Sequence, residues 1–156
     1  MITITIKMAS LLSDIKVKSS MNTARIKDSE DQYSVRVGEE NEAEQRQALQ
    51  DAWRNLLALC RRFIKTETAD MAGSDLLETT ISTNDKELTF DFKEETASYI
   101  PDALAQAMHE YLLSGALRRF YTSAAMPDLV TIYTAQETAA AARIRELIYY
   151  RPYPEQ

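Results

Sequence analysis

The residue types that most often carry out chemistry are scarce in this chain of 156 residues. It has one cysteine, Cys60, and one histidine, His109. A zinc finger, a disulfide framework and a histidine-pair metal site each need more than one such residue. The sequence therefore predicts no metal site, no disulfide and no cofactor.

Nucleophilic catalysis would have to use His109, which lies next to Glu110 in a predicted helix. No serine stands in the sequence context of a nucleophile elbow. A metalloprotease helix would have a second histidine at position 113, where this chain has Leu113. We therefore predict no catalytic residues, although an enzyme of another type remains an alternative, with Glu110, His109 and Arg118 as its candidate residues.

Other kinds of site are also weakly represented in the sequence. None of the three glycines belongs to a phosphate-binding loop. A pair of catalytic carboxylates depends on spatial proximity, so the sequence leaves that possibility open. The arginines at 61, 62, 118, 119, 143 and 145 could converge on an acidic partner, but such residues more often form a solvated face.

The charge balance disfavours nucleic acid and anionic membranes as general partners. The chain has 18 basic and 24 acidic residues, for a net charge of −6. It has no apolar run long enough to span a membrane and no secretory leader. We expect a soluble, non-secreted protein with no membrane partner.

Composition divides the chain into three parts. Residues 1–38 predict an extended arm, because Ile2, Ile4 and Ile6 alternate with polar residues as in a half-buried strand. Residues 39–150 predict a helical domain. Residues 151–156 predict an extended tail, because two prolines prevent the last helix from continuing.

Three helices are predicted in the helical domain. The first covers about 39–66, where Leu49, Trp53, Leu56, Cys60 and Phe63 form one apolar stripe. The second begins at Pro101 and runs to about Tyr121, and the third begins at Pro127 and runs to about Tyr150.

A β-hairpin is predicted between the first two of these helices, at about 76–93, with its turn at Asn84-Asp85. Leu88, Phe90 and Phe92 alternate with polar residues, so one face of the hairpin is apolar. Because an isolated hairpin is marginal in water, this face needs a cover from the helices, the N-terminal strand or another subunit.

The second and third predicted helices contain small residues, Ser114-Gly115-Ala116 and Ala139–Ala142. Small side chains allow close approach of the helix axes, and the short connection predicts an antiparallel pair. The alternative is that these small residues open a ligand groove.

The predicted fold class is therefore α+β and mostly α, with three main helices, a hairpin between helices 1 and 2, and an extended or strand-like N-terminal arm. The arm, the hairpin and the tail cannot bury their apolar groups alone, which favours contacts with other chains. For the tail, folding back onto its own helix is an equal alternative. The predicted interaction residues are Ile2, Ile4, Ile6, Leu88, Phe90, Phe92, Tyr149, Tyr150, Arg151 and Tyr153.

From Glu39 to Pro154 the predicted layout is a helix, a β-hairpin and two further helices packed through small residues, with Ala103–Leu117 and the closing Leu147–Pro152. This layout resembles small virion proteins of tailed phages and prophages of gut bacteria. The nearest role is a head-to-tail connector, adaptor or tail-completion protein. The resemblance implies rings of subunits stacked between portal and tail, with DNA only passing through a channel. It also implies a location in the virion and, during assembly, in the cytoplasm of the bacterial host.

Two functional hypotheses follow. The first is a non-enzymatic structural subunit of a homo-oligomeric assembly, of the phage connector type, with portal or tail components as neighbours. The alternative is a small adaptor or regulatory protein that binds one partner through its helical face and its Tyr/Pro tail.

Overall fold

The computed structural model describes residues 2–25, 39–61, 63, 86–90 and 100–148. These residues form four helices and two strands, in the order β1 (Ile2–Ile6), α1 (Met8–Arg25), α2 (Glu39–Cys60), β2 (Lys86–Phe90), α3 (Ile100–Ser123) and α4 (Pro127–Ile148). The described part of the chain is mostly helical, and its sheet has two antiparallel strands.

The predicted fold class of three helices with an extended N-terminal arm is wrong, because α1 lies within the predicted arm. The polar composition of this segment hides a helical stripe, whose buried members are Met8, Leu11, Leu12, Ile15 and Ser19. In a strand, Ile15 and Val17 would lie on the same side. Ile15 is fully buried and Val17 is 56% exposed, as expected for residues on different sides of a helix.

The predicted hairpin between helices 1 and 2 does not match the structure either. Strand β2 pairs with β1, so that Ile4 lies opposite Leu88 and Ile2 opposite Phe90. The alternating isoleucines therefore form a strand, which lies beside β2 in the sheet, and the described apolar side chains of both strands belong to the core. The other predicted hairpin strand, at 76–83, lies outside the described residues, as do the predicted tail and residues 149–150.

Helix α2 carries the apolar stripe that the sequence predicts. Leu49, Trp53, Leu56 and Cys60 are all at most 3% exposed. The helix ends at Cys60, before the predicted end at residue 66, and Phe63 N–H donates a hydrogen bond to Cys60 O (2.9 Å) in the turn that follows.

Helix α3 lies at the centre of the structure. Half of its 24 residues are buried, and they include neighbours in sequence such as Ser114, Gly115, Ala116 and Leu117. A helix with buried residues on several sides must be covered by several elements. The cover comes from α1, α2, α4 and β1, all of which pack against α3.

Helices α3 and α4 form the antiparallel pair that the sequence predicts. Near the turn, the rings of Tyr121 and Tyr133 stack with their centroids 5.8 Å apart. Further from the turn, Arg118 Nε donates a hydrogen bond to Glu137 Oε2. With distance from the turn, the contacting residues come earlier in α3 and later in α4, so the two helices run in opposite directions.

The turn between α3 and α4 has the hydrogen bonds of a Schellman motif. Met126 N–H donates to Tyr121 O (3.1 Å), and Ala125 N–H donates to Thr122 O (3.2 Å). Ala125 takes the left-handed conformation that this motif requires, with φ of 55°. An alanine pays a steric cost in that conformation, which glycine does not.

We therefore expect Ala125→Gly to stabilise the protein by about 1 kcal/mol, because glycine removes the steric cost of positive φ. Urea unfolding followed by circular dichroism measures the change. Ala124→Gly in the same turn is the matched control, since Ala124 has no positive φ. Equal effects of the two substitutions would contradict this explanation.

Gly115 leaves space where α2, α3 and α4 meet. A Cβ at this position would lie 3.1 Å from both Arg119 Nη1 and Glu137 Oε1, and 3.4 Å from Ala52 Cβ on α2. The two closest neighbours are the ends of long side chains and can shift slightly, whereas a larger side chain would have to separate the helices.

We expect Gly115→Leu to lower the free energy of unfolding by about 1 to 3 kcal/mol through overpacking. Gly115→Ala is expected to stay within about 1 kcal/mol of the wild type, because alanine's better helix propensity offsets the tighter contact. Chemical denaturation of both variants provides the measurement. A leucine variant as stable as the alanine variant would show that the helices do not approach closely here.

Candidate interaction site

Helix α4 lies at the edge of the structure and buries only one side. Tyr133, Ala140, Ile144 and Ile148 are its buried residues. The opposite side is exposed along the whole helix. We call its central part the outer face, which consists of Thr131, Ile132, Thr134, Ala135, Thr138, Ala139 and Ala142.

The outer face carries no charge, which is unusual for an exposed helix surface. Between Asp128 and Arg143 the sequence has one charged residue, Glu137, and its carboxylate is directed towards α3. Ile132 on the outer face is 51% exposed.

The threonine hydroxyls of the outer face are bonded within their own helix. Thr131 Oγ1 donates to Pro127 O (3.0 Å), Thr134 Oγ1 to Val130 O (2.7 Å) and Thr138 Oγ1 to Thr134 O (2.9 Å). Each hydroxyl thus gives its proton to a carbonyl of the preceding turn. The outer face can therefore be covered by another protein without leaving these donors unpaired.

A groove of about 740 Å³ runs beside the outer face. Leu113, Ser114 and Leu117 of α3 form one wall, and Ala139, Ala140 and Ala142 of α4 form the other. Its charged residues are Lys18 of α1, Glu110 of α3, and Arg143 and Glu146 of α4. Small residues of both helices, Ser114 and the alanines, thus border an open groove, as the ligand-groove alternative expects. Gly115 lies instead where α3 approaches α2 and α4 closely.

The inner side of α4 is fixed to α3 by Glu137. Its side chain is 13% exposed and bonds Arg118, and its second oxygen lies 3.6 Å from Arg119 Nη1. Arg119 Nη1 also donates to Gly115 O (2.9 Å). Burial, and then the nearby Glu137 carboxylate, raise the pKa of Tyr111. This arrangement is an ion-pair cluster that joins two helices.

The candidate catalytic residues do not form a catalytic group in the described part of the chain. His109 Nε2 lies 3.1 Å from Asp14 Oδ2, and both side chains are nearly half exposed. This contact joins α3 to α1 at the surface. Arg118 is engaged by Glu137, and Glu110 Oε1 accepts a hydrogen bond from Gln106 (3.3 Å). The Cys60 thiol is buried, and burial raises its pKa to about 12, so it is not a ready nucleophile.

Among the described residues, no three histidine, cysteine or acidic side chains lie close enough together to hold a metal ion. No helix within the described ranges is both long and apolar enough to cross a membrane.

Four of the predicted interaction residues lie in the core of the chain itself. Ile4 and Ile6 are each 4% exposed, Leu88 is 1% exposed and Phe90 is fully buried. The two strands cover each other's apolar residues and pack on the helices, which leaves these side chains no surface for a partner. Ile2 pairs with Phe90 through its backbone. Phe92, Tyr149, Tyr150, Arg151 and Tyr153 lie outside the described residues.

The outer face of α4 is not among the interaction surfaces predicted from the sequence. Its signal in the sequence is the run from Leu129 to Ala142, in which Glu137 is the one charged residue. The sequence predicts that the four alanines contact α3, but of these only Ala140 is buried, whereas Ala139 and Ala142 are exposed.

Comparison of the chain with known protein families, curated proteins and solved structures finds no match.

Removal of the Glu137 carboxylate tests the inner attachment of α4. We expect Glu137→Ala to lower the free energy of unfolding by about 1 to 3 kcal/mol, because Arg118 and Arg119 lose their shared acceptor in a largely buried position. Asp51→Ala is the control, since Asp51 pairs with Arg54 at a more exposed site, and its effect should be within about 0.5 kcal/mol. Urea denaturation measures both, and equal losses would refute the special role of Glu137.

Proposed function

We propose that this chain is a non-enzymatic structural subunit of an oligomeric assembly, and that the outer face of α4 is one of its subunit contacts. The observation that carries the proposal is the uncharged, exposed length of this face, with its threonine donors already bonded. Depletion of charged residues is typical of the core of protein interfaces.

A comparison with α2 supports this interpretation, because both helices have 22 residues and one exposed side. The exposed side of α2 includes Glu44, Gln47 and Asn55, and the partly exposed Asp51 and Arg54 form an ion pair (3.3 Å). Such a surface suits contact with water. The outer face of α4 has no charged residue. The lack of charge is therefore a property of this face of α4 and not of the exposed helix surfaces of the protein in general.

We further propose that the assembly is of the phage head-to-tail connector type. The support is the resemblance of the layout from Glu39 to Pro154 to small virion proteins of tailed phages. Of that layout, the described residues contain the first helix (α2) and the two helices packed through small residues (α3 and α4), but not the hairpin. The net charge of −6 is compatible with a protein that lets DNA pass without binding it. Portal or tail components would then be the neighbouring proteins. Mass spectrometry of purified particles induced from the host strain tests this part, and absence of the chain from every particle would refute it.

A charge on the outer face tests the subunit contact. We expect Ala139→Lys to convert the oligomer into a monomer, because the new ammonium group would be buried without a partner at the contact. Light scattering coupled to size-exclusion chromatography measures the mass, and far-ultraviolet circular dichroism shows whether the helices are retained.

Ala58→Lys provides the matched control, since Ala58 is an exposed alanine within α2. This variant should keep the wild-type mass. A wild-type protein that stays monomeric at the highest concentration at which it is soluble would exclude the oligomer altogether. An Ala139→Lys variant that stays oligomeric would exclude the outer face as the contact.

A further inference from the structure

The exposed side of α4 contains a second regularity besides its lack of charge. Asp128, Ile132, Ala135, Ala139, Ala142 and Glu146 follow one another at intervals of four, three, four, three and four residues. All six are exposed. This spacing is that of the contact line of a coiled coil, which we call the seam.

The seam has small side chains at its centre. Ala135, Ala139 and Ala142 extend only one carbon from the backbone, so a second helix could approach at the short end of the usual interaxial range of about 8 to 10 Å. Ile132 supplies the larger apolar side chain of the seam. A partner that fits this line is a helix with small residues at the same spacing.

The charges at the ends of α4 determine the direction of such a partner. The first turn carries Asp128, and the last two turns carry Arg143, Arg145 and Glu146. If two copies of α4 lay parallel, two Asp128 side chains would meet at one end, and a surplus of arginines would meet at the other. If they lie antiparallel, each end combines two carboxylates with two guanidinium groups and is neutral.

The helix dipoles favour the same direction. In an antiparallel pair, the partial positive charge at one N-terminus lies beside the partial negative charge of the other helix's C-terminus. In a parallel pair, like ends lie side by side. Charge and dipole together therefore favour an antiparallel copy of the same helix.

The groove beside the outer face is compatible with this partner. Ala139, Ala142 and Glu146 belong to the seam and also line the groove. A helix that covers the seam therefore also covers the edge of the groove formed by these three residues, while α3 lies on the opposite side of α4. Two α3–α4 pairs joined in this way would form a four-helix arrangement with both α4 helices at its centre.

We infer that α4 binds α4 of a second copy of this chain in an antiparallel, two-fold symmetric contact, with Ala135 opposite the partner's Ala139 and Ile132 opposite the partner's Ala142. The inference rests on the proposed function, because it specifies the subunit contact of the proposed oligomer. Since an isologous contact closes on itself, a larger assembly would use other surfaces to join these dimers.

Disulfide trapping with single introduced cysteines tests the direction and the register. In the antiparallel pair, Asp128 lies opposite the partner's Glu146, whereas the two Asp128 positions are about 27 Å apart along the axes. We expect Asp128→Cys alone and Glu146→Cys alone to give no disulfide-linked dimer under mild oxidation. An equimolar mixture of the two, after subunit exchange, should give a linked dimer on non-reducing gels.

The native Cys60 does not interfere, because its thiol is buried with a pKa of about 12. A mixture of Ala135→Cys and Ala139→Cys keeps the end charges unchanged and should also link. Ala58→Cys on α2 is the control for random collision and should not link in any mixture.

Each result separates the inference from the proposed function. A linked dimer from Asp128→Cys alone would indicate a parallel pair and overturn the inference. Failure of both mixtures to link, in samples whose mass shows an oligomer, would overturn the α4 contact while the structural function stands. A wild-type protein that is monomeric in the same buffer would overturn both.

Discussion

The constraint on which the rest of the structure depends is the burial of α3. Its buried residues, among them Leu104, Tyr111, Ala116 and Phe120, lie on several sides of the helix. Such a helix is stable only inside other elements, since most helical stability in proteins comes from packing. Helices α1, α2 and α4 and strand β1 supply that packing. Each surrounding helix therefore packs one side on α3, and the residues on its other side are not constrained by that packing.

The sequence predicts best those elements that carry their own local signals. Pro101 and Pro127 lie in the first turns of α3 and α4, and the buried stripe of α2 has the regular spacing of a helix. Helix α1 lacks such signals, because its apolar residues are diluted by serine and lysine. This segment is a helix because side chains such as Ile15 are buried against other elements, and its composition alone does not indicate a helix. Local propensity is a weak prior wherever packing decides.

The remaining errors have a common origin, which is that pairing is a spatial property. Residues 86–90 have the alternation of a strand, and they form one, but the partner is the N-terminal strand, at least 80 residues away along the chain. A rule based on neighbouring strands cannot find that partner. The same holds for Glu137, which the sequence marks only as one acidic residue among many. Its contact with Arg118 and Arg119 exists because α3 and α4 meet in one particular register.

The two sides of α4 depend on each other through Glu137. If this carboxylate faced solvent, the exposed side of the helix would carry a charge at its middle, and a close helix contact there would require burying it at high cost. Its pairing with two arginines of α3 neutralises it within the subunit and attaches the helix to the core at the same time. The outer face can then remain uncharged from Leu129 to Ala142 without a loss of anchoring. A surface suited to a second helix thus follows from an ion-pair cluster on the opposite side of the same helix.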